Sequence, residues 1–411
     1  MLKKVILFLF LFTYPSSFAA TRSASLDTLK AAFIRSDDLW IKVGNREQKI
    51  THNEYIRYPK WSPDGNWIAY LKVTKKGKPP LNDGELWLFN YKTNNHFKIR
   101  ANVNNNFQWA PLDNKISFLV IKHLYTLNLD PAIPFLTNKM GENIENFSWL
   151  PDGSGFLTSS KESKQLHSDI LLSKITLGSY KPAIRPFFKI PVSDNEFFIS
   201  TSQFKWSHDQ KWISFLLVPT ASLSADANTL CLLSQDGQFF KKEAEMLYEE
   251  EWFKWAPSET LLGYVKGIGR EANLNKQVDI IHAPPLSKKS LTPKGYVDRD
   301  ISWKNSSAIF VARAKEEPQA DMNKRPMPRI YEINLALGQP KQITLPAEKE
   351  ADFAPRFVND RLLWIRTNTN TASVFVSRAE AEDKWINHIT MPSTYYDRWN
   401  WDEVFSLYKG Q

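Results

Sequence analysis

The sequence predicts an all-β chain folded as a single β-propeller of four-stranded blades, and three observations predict it. The first is a repeat. The stretch YPKWSPDGNWIAYL at residues 58–71 returns as NFQWAPLDNKISFLV, NFSWLPDGSGFLTSS, QFKWSHDQKWISFLLV, WFKWAPSETLLGYVKG, DISWKNSSAIFVARA and APRFVNDRLLWIRT. Its anchoring aromatics are Trp61, Trp109, Trp149, Trp206, Trp255, Trp303 and Phe357. Six steps from first to last give a period of about 49 residues, the length of a propeller blade. Second, each copy is followed by two further apolar stretches, such as ELWLFNYKT then HFKIRA, so a unit holds four strands. Third, 15 Trp and 26 Phe run along the chain with no Gly/Ser-rich or Pro-rich linker. That favours one large body over the two or three domains that length alone suggests.

The two ends fit the same plan. Residues 31–51, AAFIRSDDLWIKVGNREQKIT, read as the second, third and fourth strands of a blade without its first. Near the C-terminus, YYDRWNWDEVF reads as a lone first strand with Trp399 or Trp401 as its aromatic. If that strand completes the N-terminal blade, the ring closes at eight blades and leaves no sheet edge. If it does not, the count is seven.

Ahead of the repeats, MLKKVILFLFLFTYPSSFAA carries Lys3 and Lys4, an apolar run from Val5 to Phe12, and small residues Ser17 and Ala19. Residues 1–20 therefore read as a cleaved export signal, and residues 21–411 as the propeller. The apolar run is short for a membrane span, and no later segment reaches the ~20 apolar residues a membrane helix needs. A periplasmic or secreted monomer with no transmembrane segment after cleavage is expected. Removing Lys3 and Lys4 lowers the formal charge from +9 to about +7. A basic exported surface favours acidic proteins, anionic lipids or wall polymers as partners over nucleic acid. Cys231 is the only cysteine, so no intramolecular disulfide forms, and it reads as a small buried hydrophobe.

The W-[SA]-P-D-G units, paired with downstream xLWxx-G-xx-xIT segments, resemble the WD40-like repeats of TolB-type propellers, which also occur in prolyl-oligopeptidase-type enzymes. The resemblance covers residues 31 to 405 and implies the fold. It does not imply one activity, because propellers host many. TolB itself carries an α/β domain ahead of a six-bladed propeller, whereas about a dozen residues separate signal and first strand here. The peptidases add a hydrolase domain with a Gly-x-Ser-x-Gly elbow, a motif this sequence lacks.

Within each unit the turn residues have a structural task. Asp64 is placed to accept backbone N–H bonds, and Gly65 supplies positive φ without a Cβ penalty. Asp152 and Gly153 repeat the pair, Asp209 and Asp360 keep only the acid, and Asn305-Ser306-Ser307 replaces both. Such degeneracy suits a turn better than a catalytic centre. One tryptophan per blade suits the wedge between neighbouring sheets.

Function is expected on the opposite face. Long connections fall between second and third strands, at 72–85, 219–228, 266–277 and 314–329, and loops on a rigid scaffold are where binding evolves. The same face receives the connections into each first strand, which place Arg57, Asn105, Glu145, Glu251, Arg299 and Asp352 near the central mouth as candidate binding residues. Alternating charge there suits an inserted peptide or polar loop. Glu249-Glu250-Glu251 reads as solvated loop charge, since consecutive strand residues point to opposite sides. The seven histidines show no HxH or HExxH spacing, so neither a metal nor another cofactor is expected, and no catalytic residue is assigned. The expected function is an exported module of the bacterial envelope that binds another envelope protein or an anionic wall polymer. The alternative is a glycan- or peptide-cleaving lyase or hydrolase with its site in the mouth.

Overall fold

The computed structural model describes residues 28–73, 83–129, 135–165, 167–178, 181–284, 286–318, 324–368, 370–378, 381–395 and 398–410. The proposed export signal lies outside them, as do parts of the loops at 72–85 and 314–329.

Eight four-stranded antiparallel sheets form a propeller ring. Blade 2 shows the pattern, with strands Ile56–Trp61, Trp67–Lys72, Asp83–Asn90 and Asn95–Asn104 in sequence order. Blades 3 to 8 repeat it, starting at Phe107, Asn146, Phe198, Phe253, Tyr296 and Ala351. In blade 5 the first strand is broken into Phe198–Thr201 and Lys205–Trp206, both paired with Trp212–Pro219. Blade 1 draws three strands from the N-terminus, Lys30–Arg35, Asp38–Val43 and Arg46–Lys49, and its first from Phe405–Leu407. The register Ala31 to Leu407 and Phe33 to Phe405 closes the ring at eight.

The closing strand is not the one that the aromatic pattern singled out. Arg398–Trp399 folds back on Thr394–Tyr395 as a separate hairpin, and Trp401–Glu403 forms a single 3-10 turn. Trp399 and Trp401 stack on each other, centroids 5.8 Å apart, while the apolar run Val404-Phe405 is buried and enters the sheet. The aromatic that meets the Trp61 repeat is Tyr408, one residue past that strand. Its ring lies 5.9 Å from that of Trp61, and its hydroxyl donates to the Pro63 carbonyl at 3.0 Å.

Four of the repeated tryptophans stitch their blade to the one before. The indole N–H groups of Trp109, Trp149, Trp255 and Trp303 donate to the carbonyls of Lys60, Gln108, Lys205 and Lys254 at 2.9–3.2 Å. The residue before the tryptophan reaches forward in the opposite sense: Lys60 to Phe107 O, Gln108 to Phe147 O and Lys205 to Phe253 O. Buried apolar clusters fill the wedges between blades. The Ile-Thr or Leu-Thr pairs just past three fourth strands add a second lock. The hydroxyls of Thr51, Thr292 and Thr344 accept the Leu39, Val278 and Ile330 N–H groups, and Thr51 and Thr292 in turn donate to Asp38 and Asp298.

The turn aspartates behave as expected of scaffold. Asp64 Oδ1 accepts the Ser62 hydroxyl at 2.6 Å and the Asn66 N–H at 3.0 Å, and Oδ2 accepts the Asn114 amide at 2.8 Å. Burial pulls the Asp64 pKa upward, and these hydrogen bonds outweigh it to leave the group below the ordinary carboxylate range. The Ser207-Asp209 turn repeats the arrangement. Cys231 is buried, and that burial pushes its thiol pKa up.

Candidate functional site

The long second-to-third-strand loops of blades 5, 6 and 7 interlock on one face. Asp226 binds Arg270, Gly269 N–H donates to Asp226 O, and Arg325 reaches Glu271 at 3.1 Å. Lys276 stiffens the middle loop. It is fully buried, its ammonium is capped by the carbonyls of Ile268, Gly269 and Leu274 at 2.8–3.1 Å, and burial pushes its pKa down to about 8. The incoming strands of blades 7 and 8 bond this same face, through Asp298 N–H to Lys276 O and Asp352 N–H to Pro328 O.

Where first strands converge, three of them carry a bulge at an equivalent place. Tyr58, Asp300 and Ala354 each lie three residues before the anchoring aromatic and each adopts positive φ, 55°, 57° and 49°. The ladder shifts register there. Left-handed backbone in a non-glycine residue is costly and clusters at functional sites. The bulge at Asp300 turns its carboxylate onto two neighbouring blades, where it accepts the Trp252 indole N–H at 2.8 Å and the Ala354 N–H at 2.9 Å.

Across this mouth runs the connection into the closing strand, Thr390 to Val404. The next longest fourth-to-first connection is Ile343 to Glu350. The charged residues of the 390–404 connection meet cations and anions at three blades, 2, 6 and 8. Asp402 pairs with Arg356 at 2.5 Å and Glu403 with Arg57 at 2.9 Å. Arg398 lies 3.8 Å from Glu249 on the connection into blade 6. Trp401 is buried against Phe353, centroids 6.2 Å apart. Glu249, Trp252, Arg299, Asp300, Phe353 and the strap residues Arg398, Trp399 and Trp401 line a narrow cleft.

The three consecutive glutamates differ in state. Glu250–Trp252 forms a 3-10 turn rather than a strand, so strict alternation does not apply; the expected solvated loop charge describes Glu251, whose side chain is exposed, but not the largely covered Glu249. Burial raises the Glu249 pKa to about 8, opposed by Arg398 and reinforced by Asp300 and Glu250. Burial likewise raises Glu250, opposed by Lys205. For Glu251, burial is outweighed by Lys254, 2.8 Å away, and Arg356, so the group sits well below its ordinary value. Near neutral pH the turn thus presents a protonated carboxyl and an ionised one two residues apart.

Of the residues predicted from sequence, Arg57, Glu251 and Arg299 belong to this network, with Arg299 stacked over Phe353 at 4.6 Å. Asn105 adjoins it: its side chain bonds Tyr58, whose pKa burial and Glu403 push up to about 12, and its carbonyl accepts Lys60. Glu145 pairs with Lys122 farther round the ring. Asp352 is fully buried in blade 8, in a bidentate pair with Arg366 at 2.7 and 2.9 Å. Sequence reasoning missed Asp300, Arg356, Arg398, Asp402 and Glu403. The length of the last connection was the available signal for the strap residues. Among the described residues no three His, Cys, Asp or Glu side chains are grouped to hold a metal ion, and no helix is long and apolar enough to cross a membrane.

Ring and mouth define an eight-bladed propeller with a strapped, charged centre. No family model and no curated protein sequence matches the chain. Solved structures do. The chain is similar to dipeptidyl peptidase 4 of Porphyromonas gingivalis at 10% identity and TM-score 0.60, over 88% of this chain and 58% of that one. It is similar to the dihydro-heme d1 dehydrogenase NirN at 13% identity and TM-score 0.57, over 89% and 74%. A puromycin hydrolase matches at 12% identity and TM-score 0.51, over 82% of this chain and 55% of that one, so this chain spans about half the hydrolase's length. At these identities the shared property is the fold.

Proposed function

We propose that the protein is an exported binding module of the bacterial envelope whose loop-rich face takes a protein partner. One observation carries the reading. Among the described residues, six of the eleven exposed large apolar side chains, Ile121, Phe197, Leu223, Tyr248, Ile268 and Leu345, lie on second-to-third-strand or fourth-to-first-strand connections, and so on one face, while Ile184 and Tyr296 lie within strands. Leu112, Leu136 and Leu337 are their counterparts on the other. Apolar side chains on stiffened loops, beside a mouth of mixed charge, are the make-up of a protein interface. Affinity capture from envelope extract with the wild type and with Leu223→Asp/Ile268→Asp tests it. A partner held by the wild type and lost by the variant supports the reading, and identical capture profiles overturn it.

A second reading has its own support. A carboxyl holding its proton to about pH 8 beside an ionised one is the make-up of a general acid and base, and would serve glycan or peptide cleavage. Turnover of polysaccharide or peptide libraries that vanishes in Glu249→Gln would favour it over the binding module.

A further inference from the structure

The residue before each anchoring aromatic lies on the inner ring of first strands. In four of the seven repeats it is a cation, Lys60, Lys205, Lys254 or Arg356, and in the others it is Gln108, Ser148 or Ser302, so none is an acid. Ser148 and Ser302 accept the Phe204 and Phe357 N–H groups of the following first strand at 2.8 and 3.2 Å, which places this position between neighbouring strands around the axis. Lys409, just past the closing strand Phe405–Leu407, adds a fifth cation, in electrostatic reach of Lys254, Arg356, Glu251 and Asp402. Three acids face these cations. Glu251 lies 2.8 Å from Lys254 and Asp402 2.5 Å from Arg356, and Glu250 is held toward its neutral form by burial. Five cations against three acids leave a positive surplus even with all three ionised. Glu249 and Asp300 share the cleft above with Arg299 and Arg398, so they do not cancel it. Donors are left over as well. Among the described residues Lys60 and Lys205 bond only main-chain carbonyls, two each, so each ammonium keeps one N–H. Arg356 Nε is buried without an acceptor, and Lys409, although exposed, makes no hydrogen bond or ion pair among the described residues. Cations gathered around a low-dielectric channel focus their field on it, and such groups gain most from an oxyanion.

We propose that the axial channel between blades 2, 5, 6 and 8 and the closing strand binds a small, doubly charged oxyanion such as phosphate, with Lys409 and Arg356 Nε as its donors and Lys60, Lys205 and Lys254 supplying charge. The surplus of cations over acids matches a dianion. Access sets the size. Glu251 and Asp402 are 42% and 43% exposed, so water and small ions reach them, whereas the strap lies across the path of a polymer chain. Lys409 follows the strand that shuts the ring and Arg356 stands on the blade beside it, so an anion shared by the two also ties the seam. The site goes beyond the binding and cleavage readings of the mouth and depends on neither.

Calorimetric titration of the full chain with inorganic phosphate, at fixed ionic strength, tests the proposal. The wild type should bind a single phosphate saturably, and its thermal midpoint should rise with phosphate and not with an equal ionic strength of chloride. Lys409→Met should weaken phosphate binding roughly tenfold or more, the loss of a charge-assisted donor, and Lys409→Arg should restore it. Because the Lys409 side chain is exposed and bonds no described residue, both variants should unfold like the wild type in the absence of phosphate. Lys341→Met removes an exposed lysine from the outer strand Pro340–Gln342 and should leave the affinity unchanged. Three results would each overturn the proposal: no saturable binding to the wild type, equal affinity in Lys409→Met, or an equal loss in Lys341→Met. The last would mean diffuse attraction to a basic surface.

Discussion

Gly65 and Gly153 occupy the same place in two copies of the Pro-Asp-Gly turn, at φ +65° and +71°. Around Gly153 nothing lies within 4 Å of where a Cβ would stand, whereas a Cβ on Gly65 would stand 2.7 Å from the Tyr408 ring. Their aspartates differ in the same way. Asp152 bonds only its own Ser154, while Asp64 also reaches Asn114 of the next blade. Blade 4 carries the repeat as a local motif, and blade 2 carries it as part of the seam where the ring closes. The difference teaches that identical turn chemistry acquires a second duty wherever chain closure presses on it.

The largest expected effect compares the tryptophans of the two blades. Both rings are buried, so Trp61→Ala and Trp149→Ala should each lower the unfolding free energy by ~3–5 kcal/mol in urea titrations. Only Trp61 touches Tyr408, so limited proteolysis should cut the C-terminal strand faster in Trp61→Ala alone. Equal cleavage in the two variants would break the distinction.

Next come the glycines. Gly153→Ala should cost ~1–2 kcal/mol, the penalty of an L-residue in the left-handed region. Gly65→Ala bears that cost and displaces Tyr408, for a total of about 3 kcal/mol. Adding Tyr408→Ala to Gly65→Ala should cost less than the two singles summed, and full additivity would count against the seam.

A third comparison sets the mouth against the turns by pH. Glu249 is held protonated by the fold, so between pH ~4.5 and about 8 the native state binds more protons than the unfolded one. Its contribution is therefore most favourable below pH ~4.5 and declines as pH rises to about 8. Glu249→Gln should remove a decline on the order of 1–2 kcal/mol across that window, read as thermal midpoints at successive pH values. Asp64 has the opposite sign. Its lowered pKa stabilises the fold above pH ~4 and is lost on acidification. Asp64→Ala should cost about 1 kcal/mol at pH 7 and flatten the acid limb. This is the smallest effect, and it should exceed that of Asp152→Ala.

Much of this architecture was legible in the residues. The tryptophan period gave the blades, the N-terminal strand triplet left a place for a returning strand, and the Pro-Asp-Gly turns marked the face opposite the long loops. These are local patterns, set within a few residues by hydrogen bonding and apolar alternation. The mouth was legible only in outline. Arg57, Glu251 and Arg299 were found because position before the aromatic places them there. Asp352 lies one residue farther from its aromatic, the place that Asp298 holds in blade 7, so it turns into its own sheet to meet Arg366 as Asp298 meets Arg313.

What the sequence by itself determined is therefore the repeat and the strand order within each blade, because both rest on contacts between near neighbours; eight blades rather than seven was decided by the pairing of Ala31 with Leu407. Tertiary structure alone decided that Phe405–Leu407 rather than the Trp399 stretch closes the ring, that Tyr58, Asp300 and Ala354 bulge, and that Glu249 keeps its proton. Arg57 and Glu403 stand 346 residues apart, and nothing local to either announces the other. Their pairing, like the strap that it anchors, exists only because the ring brings the two ends of the chain to one mouth.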